Sequence, residues 1–143
     1  MATPTSCPDQ VTLSVTLSSS PERVWHALTT GRARWWSEMH FEPRVGAALM
    51  ETWVDPAGVT HESTGTVTLT EPDRRLGFDW IDAGWESPLT VELVMTPSAH
   101  GTQLFLVESG FSALADGARL HGEHRDGWAE HLGRLERAAA TAA

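Results

Sequence analysis

The stretch HGEHRDGWAEHLGRLE, residues 121–136, decides how the chain folds. At about 100° per residue, placing Trp128 at the centre of an inward helix face brings Leu132, Leu135 and Ala139 within roughly 40° of it. Gly117, His121 and His124 fall on the same stripe. His131 and Arg125 lie at its edges, and Glu123, Glu130 and Arg134 are expected to face water. The stripe therefore changes character along its length. Its aliphatic C-terminal half suits a solid core, whereas imidazoles and a glycine fill space poorly and need polar partners. The N-terminal half is expected to face a hollow. A later helix onset would instead leave His121 and His124 on an exposed first turn.

Upstream of this helix the pattern is different. Residues 11–18, VTLSVTLS, alternate strictly and predict a strand with one wet face. In SSPERVWHALTTG, Ser20 suits an N-cap, Pro21 the first helical turn, Glu22 the positive helix end and Gly31 the stop. RARWWSE predicts a second short helical turn ending near Ser37. From Phe41 to Phe111 short apolar runs alternate with turn residues: DPAG has Pro second and Gly fourth, EPDRR is a further turn, and PSAHG joins two strands as a hairpin. Leu104, Leu106 and Glu108 share a strand face, so one carboxylate points inward if the leucines do. The order of strand, short helices, five or six hairpin-linked strands and a long terminal helix predicts an α+β domain with its helices on one side of an antiparallel sheet.

Composition narrows the function. The chain has 143 residues, enough for one core, and is divided here into a flexible tail (1–10) and a single domain (11–143). Its net charge is −9 and all ten basic residues are scattered arginines, which argues against a nucleic-acid partner. No apolar run reaches the roughly 20 residues of a membrane helix, and the first ten residues match no leader, so a cytoplasmic location is expected. The one cysteine, Cys7, permits no internal disulfide or cysteine metal cage. The His121/His124 spacing alone does not make a metal site, so neither metal nor cofactor is expected. Seven tryptophans and no tyrosine are the unusual feature. They serve either as core or as the wall of an apolar cavity.

Five segments then become familiar in order: SSSPERVWHALTT followed by WW, FEPRVG, TGTVTLTEPDRRLGFDW, GTQLFLVESGF, and the closing Gly127, Trp128, Leu132 and Leu135. Together they resemble the Hsp90-ATPase-activator-homologue branch of the START-like superfamily, from about Val11 to Ala139. The resemblance implies the helix-grip fold, a curved sheet of about six strands around a long C-terminal helix and a cavity. It also implies a small-molecule binder, with some branches working as enzymes. Chaperone activation is the weaker carry-over, because no room remains for the separate N-terminal domain that contacts the chaperone.

The leading expectation is thus a binder of a small hydrophobic or aromatic molecule. The residues expected around it are Trp35, Trp36, Trp53, Phe78, Trp80, Met95, Leu106, Glu108, Phe111, His121, His124 and Trp128, with Trp35 and Trp36 either gating the mouth or packing in the core or an interface. No residue is assigned as catalytic. The alternatives are a cyclase or hydrolase-type enzyme using His124 or Glu108 for proton transfer, and an interaction module that pairs with a chaperone or a second copy of itself.

Overall fold

The computed structural model describes residues 8–141. Cys7 and the first part of the expected tail lie outside the described residues. Asp9 and Gln10 are tied down: the Asp9 carbonyl accepts the Gly110 N–H at 3.1 Å, and β1 (Gln10–Leu17) already begins at Gln10. Along β1, Val11 and Leu17 are buried, Leu13 and Val15 partly so, and the intervening Thr12, Ser14 and Thr16 face solvent, as the alternation requires.

Helix α1 (Pro21–Leu28) follows, capped by the Ser20 hydroxyl, which accepts the Arg23 N–H at 3.3 Å. The second helical turn is shorter than expected, a 3₁₀ turn over Arg32–Arg34. The two following tryptophans stay bonded through their backbone N–H groups to the Arg32 carbonyl, Trp35 at 3.1 Å and Trp36 at 2.8 Å, and their indoles are anchored separately. Trp35 Nε1 donates to the Ala27 carbonyl at 2.7 Å, and Trp36 Nε1 donates to Glu51 at 2.7 Å.

Six further strands come next: β2 (Met39–His40), β3 (Ala48–Val54), β4 (Thr60–Glu71), β5 (Arg75–Asp82), β6 (Leu89–Ser98) and β7 (Gly101–Ser109). With β1 they form one antiparallel sheet of seven strands in the order β1-β7-β6-β5-β4-β3-β2, one more than expected. A register shift between Val67 and Leu69 marks a bulge in β4, which bends the sheet. Gly65 on the same strand approaches β5 so closely that a Cβ there would lie 1.8 Å from the Asp79 carbonyl oxygen.

The concave face carries the core. Leu76, Phe78 and Trp80 of β5, Val91, Leu93 and Met95 of β6, and Leu104, Leu106 and Glu108 of β7 are all buried. Against them lies α2 (Gly117–Thr141), 25 residues long, which buries Gly117, Leu120, Trp128, Leu132, Leu135 and Ala139. Roughly 25 cal/mol is gained per Å² of apolar surface hidden in this way, so the indoles contribute heavily. This is the helix-grip α+β arrangement. Among the described residues no helix is long and apolar enough to cross a membrane.

Candidate functional site

The site is built on a carboxylate with no exposure to solvent. Glu108 follows the buried leucines on β7, so strand periodicity alone carries it inward, and its relative exposure is 0%. Burying a charge without partners would be prohibitive. Three donors satisfy it. Trp80 Nε1 reaches Oε2 at 2.7 Å from β5, while Trp128 Nε1 and His124 Nδ1 each reach Oε1 at 2.9 Å from α2. One carboxylate thus ties the sheet to the helix and orients two indoles and an imidazole.

Above this knot, between the open end of the sheet and the middle of α2, lies a cavity of about 500 Å³. Five indoles line it: Trp36, Trp53, Trp80, Trp85 and Trp128. Trp36, Trp80 and Trp128 form a cluster with centroids 5.7 to 6.5 Å apart, and His131 stacks on Trp36 at 4.4 Å. Trp53 at the rim stacks on His61 at 4.3 Å, and His61 in turn contacts Asp55 at 2.8 Å.

The polar lining is mainly acidic. Glu38, Glu51, Asp82, Glu123 and Glu130 border the cavity together with Ser63, His124, His131 and Arg134. Burial lifts the Glu51 carboxyl above its usual range, and repulsion from Asp82 and Glu38 adds to this; the Trp36 hydrogen bond and attraction to His124 only partly oppose it. For His124, burial is the largest influence and acts downward. The hydrogen bond and charge of Glu108, helped by Asp82 and Glu123, outweigh it and hold the imidazole above its ordinary value. His131 is held below its ordinary value, first by burial and then by Arg134, and among the described residues its buried Nδ1 has no hydrogen-bond partner.

Of the residues expected around a ligand, Trp36, Trp53, Trp80, His124 and Trp128 line this cavity, and Glu108 lies directly beneath. The others do not reach it. Trp35 packs on the far side of Trp36, against α1 and the C-terminal part of α2, so the two tryptophans do not form a joint gate. Phe78 and Leu106 are core, and Met95 sits further along β6, beside α1. Phe111 is fully buried and packs edge-on to His121 and His124, acting as a spacer behind them. His121 donates from Nε2 to the Gln10 carbonyl at 2.7 Å, clamping α2 to β1. The hollow therefore faces residues 123–134 of α2, further along the helix than expected, and Glu123, Glu130 and Arg134 form its rim.

Sequence reasoning missed Glu38, Glu51, Ser63, Asp82, Trp85 and Gly127. Period-two counting on β3 and β5 could have found some of them: Glu51 and Trp53 share a face, as do Trp80 and Asp82. Trp85 sits in a loop, where no periodicity exists to read.

A family model described as activator of Hsp90 ATPase homolog 1-like protein matches residues 18–140. Solved structures similar to the chain include protein MLL2253 of Mesorhizobium loti, 26% identical with a TM-score of 0.78, the match covering 94% of this chain and 98% of that one. Protein CV1439 of Chromobacterium violaceum is 23% identical over 91% of this chain and 96% of its own, with a TM-score of 0.75. DynU16, a protein in the dynemicin biosynthetic locus, is 27% identical with a TM-score of 0.73; 94% of this chain aligns, to 48% of that longer one. No curated protein matches the chain.

Proposed function

The chain belongs to the activator of Hsp90 ATPase homolog 1-like family, and from that premise and the site we propose that it binds a small, largely apolar molecule between the sheet and α2. The observation that carries this reading is the 500 Å³ cavity walled by five indoles. Its volume falls within the roughly 300–1,000 Å³ of small-molecule sites, and flat rings offer large contact area at little entropy cost. Trp36, Trp80 and Trp128 are each held by a hydrogen bond to a carboxylate, so the wall is already in place before a ligand arrives. DynU16 sets a similar fold beside small-molecule biosynthesis, which agrees with this reading.

N-phenyl-1-naphthylamine, an uncharged dye that brightens in apolar sites, tests it. Emission should rise on adding the protein and fall back in a Gly127→Leu variant, because Gly127 lines the cavity with open space where a side chain would project. An emission rise that Gly127→Leu leaves unchanged would place the dye elsewhere and refute the cavity as the site.

One observation favours a second reading, proton transfer to a bound molecule. His124 lines the cavity, its Nδ1 is held by Glu108, and among the described residues its Nε2 makes no hydrogen bond. A carboxylate that orients an imidazole in this way leaves Nε2 to give or take a proton. Glu108 itself is fully buried beneath the cavity and would act only through His124. Loss of turnover in His124→Gln with dye affinity retained would separate catalysis from binding.

A further inference from the structure

The charge balance of the cavity wall says what kind of molecule it takes. Two of the three basic lining residues are already matched, Arg134 by Glu130 at 3.0 Å and His124 by Glu108 at 2.9 Å, and burial disfavours the charged form of the third, His131. Glu123 is likewise paired, with Arg119 at 2.8 Å. Three lining carboxylates remain. Among the described residues Glu38, Glu51 and Asp82 form no ion pair; Glu51 accepts the Trp36 N–H and Asp82 the Ser63 hydroxyl, and the basic groups that act on them do so only at longer range, His124 on Glu51 and Asp82 and His131 on Glu38. Glu51 stands close enough to both Asp82 and Glu38 to be repelled by them, in a partly buried site where charges are poorly screened.

The indoles point the same way. An aromatic ring presents negative π faces and a positive edge, and the most positive point of an indole is its N–H. In Trp36, Trp80 and Trp128 that point is spent on Glu51 and Glu108. Accepting charge from a carboxylate through the N–H leaves each ring richer in electrons and a better partner for a cation. An anionic ligand would meet uncompensated carboxylates, and a neutral one would leave them unmatched.

Resting on the proposal that this cavity binds a small molecule, we propose that the molecule is an organic cation: an ammonium group on an apolar or aromatic body, with the charge set between Glu38, Glu51 and Asp82 and the body against the indoles. A bare metal ion does not fit the arrangement, because among the described residues no three His, Cys, Asp or Glu side chains are grouped to hold one.

Three probes of one shape class test the charge alone: benzyltrimethylammonium, its uncharged isostere neopentylbenzene, and phenylacetate. Binding is read on the indole N–H signals of Trp36, Trp80 and Trp128 in the ¹⁵N-labelled protein. The ammonium should bind on the order of ten-fold more tightly than neopentylbenzene, and phenylacetate should not bind. Asp82→Asn and Glu51→Gln should each cut the ratio of ammonium to neopentylbenzene affinity; Trp80 and Trp128 indole signals at their wild-type positions verify the fold. Equal or tighter binding of neopentylbenzene or phenylacetate would overturn the cationic assignment and leave the cavity reading standing. A preference that survives in both variants would overturn the role of these carboxylates. If none of the three probes moves the indole signals, the cavity reading itself fails and this inference falls with it.

Discussion

Glu108 joins β5, β7 and α2 through one carboxylate, which accepts from Trp80, His124 and Trp128. Glutamine has the same shape but only one acceptor atom. If that oxygen stays with His124 and Trp128, the amide nitrogen faces the Trp80 N–H, donor against donor. Glu108→Gln should therefore cost about 2–4 kcal/mol in urea unfolding, despite being conservative. The same residue shows what sequence can convey. Its inward direction follows from its alternation with Leu104 and Leu106, whereas its three partners come from a strand and a helix whose relative placement no local pattern encodes. His121 and His124 make the contrast sharper. Both lie on one helix stripe, yet one ends on a β1 carbonyl and the other at the cavity wall.

Among the elements, β4 and α2 decide whether the cavity exists. Gly65 lets β4 pass against the Asp79 carbonyl, where a Cβ would sit at 1.8 Å. Gly65→Ala should thus destabilise by about 2–3 kcal/mol, measured by thermal or denaturant unfolding. Gly127 is the opposite case, a helix glycine with nothing within 4 Å of its hypothetical Cβ. Gly127→Ala should raise stability by up to about 1 kcal/mol, because alanine loses less backbone entropy in a helix, while the larger leucine occupies the cavity. An alanine variant no more stable than wild type would show that the helix is strained there. Strands, turns and the terminal helix were legible because each has a period or a punctuating residue. The position of the hollow along α2 was not, since imidazoles at 121 and 124 suggested an early opening that Phe111 in fact fills from behind.

At the scale of the whole molecule, three partly buried titratable groups at the cavity make stability vary with pH. His124 is held above its ordinary 6.5, so the folded state binds this proton more tightly; that stabilisation is complete below 6.5 and is lost as pH rises through the folded value. His131 is held below 6.5, so its contribution is present above 6.5 and is lost as pH falls toward the folded value. Glu51, raised above 4.5, adds a decline as pH climbs from 4.5 through its own folded value. Urea midpoints followed between about pH 5 and 9 should therefore fall on the alkaline side, and His124→Gln should flatten that decline above 6.5. An unchanged alkaline slope would mean that His124 is not the group responsible. The clustered indoles carry a further optical consequence. Rings separated by 5.7 to 6.5 Å exchange excitation much faster than they emit, so light absorbed by Trp36, Trp80 or Trp128 is shared before it is released. Emission from the trio should be strongly depolarised even in a rigid protein, and a single quencher seated among them should darken all three at once, making the chain its own reporter of occupancy.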